Sequence, residues 1–216
     1  MKTVPPLLAN LPRCETVWLE SVLVGQALAK GTVLAEADRA SSGLWLLGDA
    51  VTCRLALGLR GANQEFGLDP AGSIACAFAI IGDGRIPWRT KVCRGGSGWM
   101  LPAALIPGLR DRAPTLADRI ECKAQQEAAQ LAREFVLGGR RSATASVAAR
   151  LLDHFQTLGD DILRTTHREI AGLLHLRRET VTLALQELEG AHAIRSLRGE
   201  IRLVDRARLL ALSLAH

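Results

Sequence analysis

The chain has 216 residues, 48% of them hydrophobic and 23% charged, with a formal net charge of +5. That balance fits one large or two small folded domains, excludes a disordered chain, and permits a nucleic-acid partner without requiring one. No apolar run approaches the ~20 residues of a membrane helix, and the prolines of MKTVPPLLANLPRCE interrupt any export signal, so the expected location is the cytoplasm.

Ligand chemistry is sparse. The cysteines (Cys14, Cys53, Cys76, Cys93, Cys122) are odd in number, scattered, and contain no CxxC, which argues against a zinc clamp or a disulfide framework. All five histidines (His154, His167, His175, His192, His216) fall in the last third without metal-ligand spacing. Neither metal nor cofactor is expected. No Ser-His-Asp, Cys-His or paired-carboxylate arrangement stands out, so the chain does not read as an enzyme.

Fourteen of the twenty glycines lie between Gly25 and Gly108, separating the apolar runs GTVLAEAD, GLWLLGDAVTCRLALGL, GSIACAFAII and WRTKVCRGGSGWML. Short runs between turn signals predict the strands of a β-sandwich or barrel. Residues 115–137, TLADRIECKAQQEAAQLAREFVL, lack Gly and Pro and predict one long helix, capped by Thr115 and stopped at Gly138-Gly139, a candidate hinge. Leu116, Ile120, Ala124, Leu131 and Phe135 share roughly one face of it. That stripe either packs on its own domain or pairs with its copy in a dimer. A further helix is expected at about 143–157, with Val147, Leu151, Leu152 and Phe155 at helical spacing.

The segment REIAGLLHLRRETVTLALQELEG carries the most specific signal. Thr166 and Glu169 form a capping box, and Ile170, Leu173 and Leu174 make the apolar face of a short helix. After a turn of about three residues, a second helix runs from Arg177 to about Leu188. It buries Val181, Ala184, Leu185 and Leu188 and turns Glu179, Thr182, Leu183 and Gln186 outward. GAHAIRSLRGEIRLVD then predicts a hairpin decorated by Arg195, Arg198 and Arg202. Helix, turn, helix and basic wing together fit the DNA major groove.

The run LRTTHREIAGLLHLRRETVTLALQELEGAHAIRSLRGEIRLVDRARLLAL resembles the DNA-binding domain of the cAMP receptor protein/fumarate-nitrate regulator (Crp/Fnr) family, most diagnostically in Arg-Glu-Thr-Val at 178–181 and the Arg-Gly-x-Ile wing. The resemblance extends more weakly over the whole chain. It implies an α+β fold: an N-terminal β-roll (a cyclic-nucleotide-binding-like jelly roll, 1–112), a dimerisation helix (113–138) and a C-terminal winged helix-turn-helix (139–216). By position, Arg178, Glu179, Thr182 and Leu183 would face base edges, and Thr166, His167, Arg177, Arg195, Arg198 and Arg202 the backbone. His175 departs from the glycine usual in the turn, and Arg177 from the usual Ser or Thr.

The family's cyclic-nucleotide cassette looks degenerate. Ser73 stands where its glutamate is expected, and Arg85, Arg89 and Thr90 are the remaining candidates near the phosphate position. The resemblance therefore implies a homodimeric transcription regulator acting on double-stranded DNA and RNA polymerase, with an unknown effector other than the usual cAMP. Two alternatives stay open: a constitutive DNA binder whose sensor holds no ligand, and a small-molecule-binding, cupin-like barrel with an accessory helical domain.

Overall fold

The computed structural model describes residues 5–57, 63–138 and 141–214. The chain forms two compact units. One comprises the chain up to Ala56 together with Phe66–Gln130; the other comprises Leu57–Glu65 and the chain from Leu131 onward.

The first unit opens with helix α1 (Arg13–Val22), which no sequence signal announced. It continues through β1 (Val24–Leu28), β2 (Val33–Ala35), β3 (Arg39–Ala40), β4 (Gly43–Leu47), β5 (Val51–Leu57), β6 (Asn63–Asp69), β7 (Ile74–Ala75), β8 (Arg85–Ile86), β9 (Arg89–Arg94) and β10 (Gly96–Pro102). Two four-stranded sheets, in the orders β1-β10-β4-β7 and β2-β9-β5-β6, make the roll, with a small β3-β8 ladder beside them. Every residue of β4 is buried, so this strand reads as a continuous apolar run rather than an alternation. Gly43 is obligatory there, because a Cβ would stand 2.2 Å from the Leu101 carbonyl oxygen of β10. GSIACAFAII, expected as one strand, stops after Ala75. Cys76 turns left-handed (φ 61°) and the chain enters a 3-10 turn over Ala77–Ile80.

Helix α2 (Leu109–Arg112) leads into α3 (Pro114–Gly138), the predicted long helix. Its start is not capped by Thr115. The Glu15 carboxylate of α1, buried, accepts from the backbone N–H groups of Thr115 and Leu116, both at 3.1 Å. A carboxylate at the positive end of a helix satisfies two orphan donors at once. Gly138 closes α3; Gly139, the other half of the expected hinge, lies outside the described residues.

The second unit contains α4 (Ala143–Leu158), β11 (Ile162–Leu163), α5 (His167–Leu174), α6 (Arg178–Gly190), β12 (Ile194–Leu197), β13 (Glu200–Leu203) and α7 (Arg206–Ser213), with strand order β11-β13-β12. Ser142 caps α4, and Gly159 ends it in the left-handed conformation. One apolar core joins Val147, Leu151 and Phe155 of α4 to Ile170 of α5, to Val181, Leu185 and Leu188 of α6, and to Ile194, Ile201 and Leu209. Burying a leucine such as Leu185 stabilises by about 1.5–3 kcal/mol. The amphipathic pattern of the two short helices is thus held by packing rather than by propensity.

Candidate nucleic-acid interface

Local chemistry fixes where α5 begins and where it stops. The Thr166 hydroxyl accepts from the Glu169 N–H, and the Glu169 carboxylate accepts from the Thr166 N–H at 2.7 Å, so the expected capping box is complete. The helix ends at His175, a non-glycine residue in the left-handed region (φ 54°). Arg177 then serves as the N-cap of α6 with no side-chain capping bond, so the helix proper starts one residue later than the pattern suggested.

With Val181, Ala184, Leu185 and Leu188 turned inward, α6 leaves Arg178, Glu179, Leu183 and Gln186 exposed. Leu183 is 60% exposed. Thr182 is only half-exposed. Its hydroxyl donates to the Arg178 carbonyl oxygen at 3.0 Å and meets His167 Nδ1, also at 3.0 Å. His167 Nε2 lies 3.4 Å from the Ser196 hydroxyl on β12, and the Ser196 N–H donates to Glu189 of α6. The start of α5, the first turns of α6 and the wing therefore meet at one imidazole.

Arginines flank that meeting point in sequence: Arg168 beside His167, Arg178 one turn before Thr182, Arg195 beside Ser196, and Arg198 at the wing turn with Gly199 (φ 80°). All four are exposed, and none makes an ion pair among the described residues. Arg202 differs, being held by Glu200 of its own strand at 2.6 Å. Thr166 differs too, its hydroxyl being taken up by the capping box. Unneutralised guanidinium groups around an exposed helix face suit a polyanion, with Arg178 able to offer paired donors to a base edge.

The residues expected to hold an effector are scattered among local partners. Ser73 donates its hydroxyl to the Pro70 carbonyl oxygen and closes a turn. Arg85 pairs with Asp83 at 2.8 Å and reaches the Asp38 carbonyl oxygen; Arg89 pairs with Glu36 at 2.7 Å. Thr90 is fully buried beside Cys76, whose thiol burial pushes well above the usual range, partly offset by the Thr90 hydroxyl. Cys76, inert in that state, fits the reading of a small hydrophobe.

What the sequence did not reveal is the polar centre of this unit. Arg54, in the apolar-looking run VTCRLAL, is buried at 2% exposure and donates to Gln130 at 2.7 Å. It faces Asp69 at 3.6 Å and Glu127 at 3.4 Å and lies over the Phe66 ring at 5.3 Å. Lys123 adds a 2.8 Å pair to Asp69. Burial and the charge of Asp69 raise the Glu127 carboxyl to about 7 against the opposing pull of Arg54 and Lys123. Trp88 packs edge-on against both Phe66 and Phe78.

The long helix corrects the expected dimer face. Leu116, Ile120 and Ala124 are completely buried against Leu8, Leu19 and Leu101 of their own unit. They are core, because the roll needs one face of α3 to close it. Leu131 is half-buried, whereas Phe135 is 86% exposed. Also exposed along the helix, besides Gln126, Ala128 and Arg133, are Cys122, Gln125, Ala129, Ala132 and Val136. Their alternating three- and four-residue spacing is that of a coiled-coil seam.

A family model described as a Crp-like helix-turn-helix domain matches residues 145–212. The nitrogen fixation regulation protein FixK of Bradyrhizobium diazoefficiens is 38% identical over 109 residues, 47% of this chain and 46% of FixK, so the match spans about half the length of that relative. Among solved structures, a crp/fnr-family regulator from Eubacterium rectale aligns over 96% of this chain and 97% of its own at 20% identity and a TM-score of 0.78. FixK2 of Bradyrhizobium japonicum aligns over 90% and 99% at 19% identity and a TM-score of 0.74. At these identities the structures establish the fold alone, an architecture shared over nearly the whole chain.

Proposed function

The chain carries a Crp-like helix-turn-helix domain at 145–212 within a Crp/Fnr fold, and from that premise we propose that it is a transcription regulator that reads double-stranded DNA as a homodimer. One observation carries the reading: α6 exposes an arginine-led face, Arg178, Glu179 and Leu183, beside cations that no carboxylate of the described residues neutralises. Arg178 is assigned to guanine acceptors, Glu179 to a cytosine amine and Leu183 to a thymine methyl. Arg177, Arg195 and Arg198 are assigned to phosphates, which supply affinity and register. Arg202 joins them once its pair with Glu200 opens, and Thr166 contributes by capping the start of α5.

The dimer is assigned to the open stripe of α3, Cys122 to Val136, with Phe135 at its edge. Two copies related by a two-fold axis would set their α6 helices in successive major grooves of a near-palindromic site. RNA polymerase is the partner through which such a regulator acts on transcription. Selection of duplexes from a randomised pool by the purified chain tests the reading. A recovered palindrome supports it, and enrichment of no sequence at low salt would refute it. Arg178→Ala should then weaken binding to the recovered duplex by about 1–3 kcal/mol and relax preference at one base.

A second reading concerns the sensor, and the buried Arg54 centre favours it. The interior of the roll is occupied by Arg54, ion-paired with Asp69 and Glu127, and by the Trp88–Phe66–Phe78 cluster. On this reading the chain binds DNA constitutively and the roll serves the dimer. Calorimetric titration of cyclic nucleotides into the purified dimer separates the two: heat with a defined stoichiometry restores an effector-driven regulator.

A further inference from the structure

We propose that His167 is a positioning residue that ties the recognition helix to the wing and so sets base specificity; this rests on the DNA-reading function proposed above. Its ring joins three elements at one point, alongside the Ser196 N–H bond to Glu189 and the apolar core the three share. His167 opens α5, Thr182 lies in α6, and Ser196 lies in β12. A reading head of this type works only if the helix in the groove and the hairpin on the backbone keep a constant offset, since a shift of about 1 Å misaligns paired donors.

Proton accounting fixes the direction of each bond. The Thr182 hydroxyl has one hydrogen, and it goes to the Arg178 carbonyl oxygen at 3.0 Å. Thr182 Oγ1 is therefore an acceptor toward the ring, and His167 Nδ1 carries the hydrogen that meets it at 3.0 Å. Nε2 is then left to accept from the Ser196 hydroxyl at 3.4 Å, or to donate to it when the ring is cationic. Either charge state keeps both links. The same accounting takes up the Thr182 hydrogen and one of its two lone pairs inside the protein. Thr182 thus meets a base as an acceptor or through its methyl group, never as a donor, and its hydroxyl also holds the first turn of α6 in register.

The experiment compares wild type, His167→Ala and His167→Gln in the full-length chain. Each is titrated against the duplex that wild type recovers from a randomised pool and against a scrambled duplex, over a range of salt. Loss of the tether is expected to lower the ratio of specific to scrambled affinity about tenfold, the effect of two net hydrogen bonds, with the salt slope unchanged. Gln carries one donor and one acceptor at its tip, and restores most of the ratio. An equal loss on both duplexes with a shallower salt slope would overturn the proposal and leave His167 a plain phosphate contact. Where His167→Ala lowers the melting temperature, Ser196→Ala, which cuts only the wing side, reports instead: an unchanged ratio overturns the tether. A wild-type chain that recovers no sequence sinks the DNA-reading function itself, an outcome distinct from either result above.

Discussion

His175 holds the turn between α5 and α6 at φ 54°, a backbone region that costs an L-residue about 1 kcal/mol and glycine almost nothing. Its side chain is exposed and makes no hydrogen bond among the described residues that would offset the strain. His175→Gly should accordingly raise unfolding free energy by about 0.5–1 kcal/mol in denaturant titration, without altering the selected DNA sequence. A loss of stability would mean the imidazole contributes more than its backbone costs. This residue was legible in the sequence, because the resemblance places glycine at that position of the turn. Arg54 and Glu15 were not. Their partners lie far along the chain, Glu127 and Gln130 for the one and Thr115 and Leu116 for the other. Local pattern holds no trace of such pairings, and a buried arginine inside VTCRLAL reads only as an anomaly in a strand.

At the level of elements, α3 shows how periodicity can be right about a helix and silent about its use. Leu116, Ile120 and Ala124 mark an apolar stripe, yet the roll takes that stripe as its lid. The Cys122-to-Val136 stripe, turned ~160° away, is smaller and more polar, and no hydrophobicity count would rank it first. Sequence alone cannot tell which stripe meets the same chain and which meets another copy. The winged domain escaped this ambiguity because its helices are short and each has one apolar face to spend. If the open stripe is the dimer seam, Cys122 of each copy approaches its equivalent across the two-fold axis. Treatment with diamide should then oxidise the two thiols to one disulfide, the azo compound taking up both electrons and protons. A band of twice the chain mass would appear on a non-reducing gel, vanish in Cys122→Ser, and persist in Cys14→Ser, which removes the other exposed thiol. Cross-linking that follows Cys14 instead would remove this seam from consideration.

For the molecule as a whole, the two units should answer pH in opposite senses. In the first, burial and Asp69 raise the Glu127 carboxyl to about 7 from an ordinary 4.5, so the folded unit holds a proton that the unfolded chain has released. That stability is fully present below about 4.5 and is lost as pH rises through about 7. In the second, burial would push the Glu65 carboxyl up, but the hydrogen bond from His154 at 2.9 Å and the charges of His154 and Arg150 outweigh it and hold it below its ordinary range. Its stability is present above 4.5 and is lost only as pH falls through that lowered value. All four tryptophans (Trp18, Trp45, Trp88, Trp99) belong to the first unit and the chain has no tyrosine, so fluorescence follows that unit alone. Taking the protein from pH 8 to pH 5 should therefore raise the fluorescence-detected melting temperature, while the helical circular-dichroism transition of the second unit holds until the pH drops below about 4.5. Glu127→Gln should flatten the first response. Glu65→Gln should lower the second unit's stability by about 3 kcal/mol at neutral pH, the scale of breaking one side of a buried pair, with Asp153 and Glu134 still facing Arg150. Fluorescence and circular-dichroism melts that shift together in wild type at every pH would show the two units unfolding as one, with neither buried carboxyl setting its own pH response.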